Sequence, residues 1–309
     1  MIVDENKSIW QEKYRPQCID DMILPENIKQ KFKRYVEKDL PNIGLWSANP
    51  GLGKSSLANA IIRELKYPAK FINASLEKGI DVLRTDIQSF AKSSSMDSDY
   101  KIVVMDESDN ISKDFQSAFR GFLDEFSENC RFIFTGNYKE KIIEPLLDRL
   151  ENYDFSLFNK KEMVKPIFER LCFILEHENI KYDKKQLVPV INAFYPGIRS
   201  MINTLQQCSS TGEFILDEKS IDSVNVFDNL MKLVKPESYY DMISEVNNVN
   251  SPDAMYNYLY HNAEKYFKPE SYPNVIIILA KYQDMAVSAI NKNLTLAGCL
   301  TELMKFNKA

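Results

Sequence analysis

Ile43-Gly44-Leu45-Trp46-Ser47-Ala48-Asn49-Pro50-Gly51-Leu52-Gly53-Lys54-Ser55-Ser56 is the stretch that decides the fold. Its apolar start, Ile43–Ser47, reads as a buried strand. A helix follows over Ser55–Leu65, with Leu57, Ala58, Ile61, Ile62 and Leu65 at helical spacing. The loop between them can cradle phosphates. Glycines let backbone N–H groups close on the anion, Lys54 neutralises charge, and the Ser55 hydroxyl ligates Mg²⁺. Asn49, Pro50, Gly51, Leu52, Gly53, Lys54, Ser55 and Ser56 are therefore the expected nucleotide-binding run. The first glycine of the usual pattern is Ala48 here, which a negative φ tolerates.

Working outward, four more β-branched or aromatic runs occur at Lys70–Asn73, Ile102–Asp106, Phe132–Thr135 and Tyr153–Leu157. Helical patterns fall between them at Asp81–Ala91 and Lys113–Phe126. Strands alternating with helices predict an α/β fold with a doubly wound parallel sheet. After Phe158 the strand pattern fades. Lys160–Glu178, Lys185–Phe194 and Ile198–Gln207 read as amphipathic helices, with a break at Tyr195-Pro196-Gly197. Helical periodicity resumes at Ser223, with breaks near Pro236, Pro252, Pro269 and Pro273. The expected organisation is an α/β domain over 1–158, a small helical domain over 159–222 and an all-α domain over 223–309.

Lys101-Ile102-Val103-Val104-Met105-Asp106-Glu107 is an apolar strand that ends in two carboxylates. Downstream of a phosphate loop, Asp106 suits the Mg²⁺ shell and Glu107 suits the general base that polarises water. Other chemistry is poorly supplied. The 309 residues include two histidines and five scattered cysteines, too few in one place for a zinc site or a disulfide framework. The net charge of −5 argues against a surface coated for nucleic acid, but not against a local basic stripe. No apolar run approaches the roughly 18 residues of a membrane span. The start, MIVDENKSIW, lacks the pattern of a secretory signal, so a cytoplasmic protein without membrane partners is expected.

Several segments, in order, then give the chain a specific likeness. Trp10-Gln11-Glu12-Lys13-Tyr14-Arg15-Pro16 resembles the "W-x-E-K-Y-R-P" leader of the AAA+ ATPases, and of their clamp-loader branch in particular. That branch comprises the small subunits of replication factor C and the large subunit of tailed-bacteriophage clamp loaders. Asn73-Ala74-Ser75-Leu76-Glu77-Lys78-Gly79-Ile80-Asp81-Val82-Leu83-Arg84 resembles the family's "N-A-S-D-x-R-G-I-D-V-V-R". Gln116-Ser117-Ala118-Phe119-Arg120 resembles "Q-x-A-L-R-R", with Gly121 in place of the second Arg. Asn129-Cys130-Arg131-Phe132-Ile133 leads to Asn137 as in "N-N-C-R-F-I-L-x-x-N-Y". Pro145-Leu146-Leu147-Asp148-Arg149-Leu150 stands where the family has "P-L-x-S-R-C". Gly197-Ile198-Arg199 opens a segment similar to "G-D-x-R-x-x-x-N-x-L-Q".

The resemblance covers roughly residues 9–210 and implies roles. Tyr14, Arg15 and Pro16 would lie near the adenine. Asn137 would be sensor 1 and Arg199 sensor 2. Arg149 would be an arginine finger that reaches the ATP of a neighbouring subunit. Lys78, Ile80, Arg84 and Arg120 would face primer–template DNA. Residues 223–309 would form the collar that holds a ring of subunits. The implied protein is the ATPase motor of a sliding-clamp loader, using ATP and Mg²⁺, with copies of itself, an accessory subunit, the clamp and DNA as partners. The altered neighbours of Arg149 and the missing loop glycine suggest a divergent member, and a bacteriophage source fits. Another AAA+ DNA motor, or a structural subunit that only binds nucleotide, is the alternative.

Overall fold

The computed structural model describes residues 3–48, 51–75, 80–93, 98–216, 227, 229–247, 249 and 252–307. The chain forms two compact units, residues 1–215 and 216–309.

The first unit opens with α1 (Trp10–Lys13) and α2 (Glu26–Glu37). Then come β1 (Ile43–Trp46), α3 (Lys54–Leu65), β2 (Ala69–Asn73), α4 (Ile80–Lys92), β3 (Lys101–Asp106) and α5 (Lys113–Glu125). After these follow β4 (Cys130–Gly136), α6 (Glu144–Leu147), β5 (Glu151–Asp154), α7 (Lys160–His177), α8 (Leu187–Phe194) and α9 (Ile198–Cys208). The five strands form one sheet in the order β2-β3-β4-β1-β5. Every pairing in it is parallel.

Strand alternation divides the core into two layers. Val103, Met105, Phe132 and Phe134 pack with Phe115, Phe119 and Phe122 of α5 on one face. Ile43, Leu45, Ile102, Val104 and Ile133 pack with Leu57 and Ile61 of α3 on the other. Phe119 meets Phe132 and Phe134 edge-on at 5.4 and 5.3 Å between ring centres. Burial of each such ring contributes about 1.5–3 kcal/mol.

One expected strand shifts and one helix is new. The strand expected at Tyr153–Leu157 is Glu151–Asp154, followed by a 3-10 turn at Phe155–Leu157. The Asp154 carboxylate accepts the Ser156 N–H at 2.8 Å and turns the chain out of the sheet. Helix α2 was not expected; it buries Phe32 against the α3 layer.

The second unit carries α10 (Tyr239–Val246), α11 (Pro252–His261), α12 (Ala263–Tyr266), α13 (Tyr272–Ser288) and α14 (Lys292–Leu303). Its own core joins Met242, Val246, Met255, Leu259, Val275, Leu296 and Leu300. The expected breaks at Pro252 and Pro273 are helix starts, where a missing N–H costs nothing. Among the tyrosines of this unit, Tyr256 is core, whereas Tyr240 and Tyr260 are exposed. No described helix is long and apolar enough to cross a membrane.

Candidate active site: a nucleotide cleft with an outlying arginine

Strand order places the site. β4 lies between β1 and β3. The phosphate loop leaves β1, the acidic pair ends β3, and Asn137 follows β4 between them.

Gly51 and Gly53 have φ of +80° and +95°, conformations that side chains strain to reach. Gly53 is the N-cap of α3, and no side chain caps that helix. Its first N–H groups are thus left for an anion. Asn49 and Pro50 lie outside the described residues. Lys54 is buried at 8% exposure. Its Nζ donates to the Ser47 carbonyl at 3.3 Å and to Asn137 Oδ1 at 3.0 Å. Burial pulls the Lys54 ammonium below its ordinary value and the Arg199 charge adds to this, while Asp109 and Asp106 oppose it.

Ser55 Oγ donates to both oxygens of Asp106, at 3.2 Å each. Thr135 Oγ1 donates to the same carboxylate. A hydroxyl and a carboxylate side by side fit a Mg²⁺ ion that takes its other ligands from phosphate and water. Among the described residues no cluster of three or more carboxylate, His or Cys ligands exists. Buried Asp109 accepts the Asn137 N–H at 3.2 Å and fixes the backbone there.

Glu107 sits in the left-handed region, with φ 55° and ψ 38°. That backbone costs roughly 1–2 kcal/mol in a non-glycine residue. Its carboxylate accepts from Ser75 Oγ, which in turn accepts from Asn110 Nδ2 at 2.7 Å. Ser75 thus holds the general-base candidate toward the end of β2. Replacing Glu107 by Gln preserves an acceptor for Ser75 and removes the base. Turnover is expected to fall by roughly 10²–10⁴, with nucleotide affinity retained; single-turnover hydrolysis and equilibrium titration check the two halves.

One wall of the cleft is the N-terminal segment. Tyr14, Arg15 and Pro16 line it together with Met22 and Ile23. Tyr14 is fully buried and serves partly as an anchor. Its hydroxyl donates to Glu178 at 2.6 Å and lies 2.9 Å from His177 Nδ1, at the end of α7. Burial, then the bond to Glu178, drives the phenol pKa far up. Arg15 pairs with Glu12 at 3.5 Å. Leu52 and Ser56 also line the cleft.

The opposite wall comes from α7 and α9. Arg199 stands in the first turn of α9, which no side chain caps. A Cβ placed on Gly51 would lie 3.1 Å from that of Arg199, so the two face each other across the cleft mouth. Arg170 lines the same wall and donates to the Asp21 carbonyl. Sequence reasoning missed Arg170, because within α7 it read only as one more polar position.

Arg149 lies elsewhere and does not line the cleft. Its Nε and Nη2 donate to Asp124 Oδ1 and Oδ2 at 2.9 and 3.0 Å, and Nη1 donates to the Pro145 carbonyl at 2.9 Å. The bond to Arg149 holds the Asp124 carboxyl below its usual range, aided by the charge of Arg120. Arg120 is exposed on α5. Buried Gln116, on the same helix, bonds the carbonyls of Ile111 and Lys141 and the Ile143 N–H, tying α5 to the chain that enters α6. Lys78 lies outside the described residues, as do the side chains of Ile80 and Arg84.

A glycine loop closed on a buried lysine, an acidic pair on β3 and a polar sensor on the intervening β4 define a P-loop ATPase of the AAA+ class. Residues 45–156 match the model of the ATPase family associated with various cellular activities. The chain is 34% identical over 243 residues to the replication factor C small subunit of Saccharolobus solfataricus, covering 76% of this chain and 70% of that one. It is 37% identical over 218 residues to the replication factor C small subunit of Archaeoglobus fulgidus, covering 68% and 67%. The chain belongs to the replication factor C small-subunit family, the clamp-loader branch of the AAA+ ATP hydrolases. Thermotoga maritima RuvB, a Holliday junction branch migration motor, shares the fold with a TM-score of 0.56 at 14% identity, over 72% of this chain and 79% of that one.

Proposed function

We propose that this chain is a motor subunit of a DNA polymerase sliding-clamp loader, working beside copies of itself and an accessory subunit. Each ATP is held between subunits. Lys54, Ser55, Asp106, Glu107, Asn137 and Arg199 act on the nucleotide of their own cleft, and Arg149 acts on that of the neighbour. Residues 159–222 serve as the lid and residues 223–309 as the collar. Primer–template DNA contacts Lys78, Ile80, Arg84 and Arg120.

The observation that carries this reading is the separation of Arg149 from the cleft. Five of the six polar groups expected at the phosphates are tied together by hydrogen bonds or line one cavity. Glu107 adjoins them through the bond of its N–H to Asp106 Oδ1 at 3.1 Å. The expected finger is outside and partly exposed, which suits a group that acts on another molecule. Its function needs an assembly.

Within a cleft, the chain's own groups divide the work. The loop N–H groups and Lys54 bind the phosphates, and Ser55 with Asp106 hold Mg²⁺. Bound Mg²⁺ supplies charge neutralisation at the phosphate oxygens. Glu107 takes the proton of water once it leaves Ser75, and Asn137 keeps Lys54 aimed.

The test is steady-state ATP turnover of the chain with its accessory subunit, in three conditions: no addition, primer–template DNA, and DNA with the cognate clamp. Strong stimulation by DNA and clamp together is expected. Turnover indifferent to the clamp would move the reading to another AAA+ DNA motor, and no turnover in a verified assembly would leave a structural role.

A further inference from the structure

Asn152 stands on β5 opposite Gly44 of β1, so its side chain shares a sheet face with that of Trp46. Trp46 Nε1 donates to Asn152 Oδ1 at 2.7 Å. Asn152 Nδ2 donates to the carbonyls of Leu147 and Leu150, at 2.8 and 2.9 Å. Those two carbonyls bracket Asp148 and Arg149. One amide therefore closes the loop that carries the finger and hangs it from β1.

The anchor has little freedom. Trp46 is 1% exposed. A Cβ on Gly44 would lie 2.6 Å from its Nε1 and 2.7 Å from Asn152 Oδ1. A Cβ on Gly136 would lie 3.0 Å from its ring. A side chain at either place would crowd the indole. The residue after Trp46 is Ser47, whose carbonyl accepts from Lys54. A continuous series of bonds thus runs from the phosphate-loop cation to the loop bearing Arg149.

We propose that Asn152, held by Trp46, is a positioning residue for Arg149: it sets where the guanidinium meets the neighbour's ATP. The proposal rests on the reading of Arg149 as a finger acting in trans. Both N–H bonds of Asn152 go to main-chain atoms of the finger loop and none goes to the cleft. Its effect therefore belongs in the rate of the assembled motor and not in nucleotide binding.

Asn152→Asp keeps the acceptor for Trp46 but replaces two donors with a charge facing two carbonyls. Trp46→Phe keeps a ring in the core and removes only the indole donor. In the assembly stimulated by DNA and clamp, Asn152→Asp is expected to lower kcat by about 10- to 100-fold, the scale of an ångström of misplacement. Trp46→Phe is expected to lower it less. KM for ATP and the nucleotide affinity of the isolated chain stay unchanged. In the Arg149→Ala background Asn152→Asp adds no further loss, because both act through one group. A purely structural amide would instead lower Tm and nucleotide affinity together, and its loss would multiply with that of Arg149→Ala; either result overturns the proposal. Arg149→Ala assayed alone separates the two layers. If it abolishes stimulation while Asn152→Asp leaves kcat unchanged, the positioning role fails; if it costs nothing, the finger reading fails first.

Discussion

Lys54→Met is expected to abolish measurable turnover and to raise the melting temperature of the nucleotide-free protein. The two effects share one cause. Lys54 is buried with two hydrogen bonds, and burial holds its ammonium below the ordinary value of 10.5. The folded state therefore disfavours the charged form relative to the unfolded chain. Below the folded-state value that penalty is present in full; it is relieved as pH rises toward 10.5, because the unfolded chain binds more protons in that window. Methionine fills a similar volume with no charge to bury and removes the penalty. Bound phosphates reverse the balance, since they add negative charge that Asp109 and Asp106 alone do not supply in full. Removing one partner from such a pair costs about 2–5 kcal/mol, or on the order of 30- to 5,000-fold in affinity. Calorimetric melting without nucleotide and titration with ATP read the two halves. A lower Tm for Lys54→Met would show that the bonds to Ser47 and Asn137 outweigh the desolvation of the charge.

How much of this was legible in the chain follows from how local each signal is. The phosphate loop is local: strand, glycines, lysine, hydroxyl and helix are contiguous, and the structure adds only the positive φ of Gly51 and Gly53. The parallel sheet was also legible, because strands buried on both faces are apolar throughout. The bounds of the edge strand β5 were not, since Glu151 and Asn152 are polar and three of the five residues of the run at Tyr153–Leu157 leave the sheet. Its Asn152 is what the loop bearing Arg149 bonds to. Asn152 becomes informative only once register sets it against Gly44, which no spacing in the sequence encodes. The hold of Ser75 on Glu107 depends likewise on a left-handed residue at the end of β3. The residues proposed to carry chemistry are marked by type and spacing; those that bond to them across the sheet are not.

Arg149→Ala is expected to cost the stimulated assembly roughly 10³–10⁵ in kcat, the scale of an arginine finger. Nucleotide affinity of the isolated chain stays unchanged, because Arg149 lines no part of its own cleft. Arginine offers five N–H donors. Asp124 engages Nε and Nη2, and the Pro145 carbonyl engages Nη1. One N–H on Nη1 and one on Nη2 remain, so the guanidinium can meet a phosphate without releasing Asp124. The ion pair is partly exposed and adds little to stability. Its consequence is aim: a planar group held on two sides has less rotational freedom to lose when the neighbour's ATP arrives. Lysine cannot hold a carboxylate in that fork and reach onward, so Arg149→Lys is expected to fall nearly as far as Arg149→Ala. Mixed assemblies give the decisive reading. A chain with Arg149→Ala has an intact cleft and no finger, and a chain with Glu107→Gln has a dead cleft and an intact finger. Neither turns over ATP alone, but mixing them places good fingers against good clefts and restores part of the rate. A finger acting within its own chain would leave the mixture as inactive as its parts.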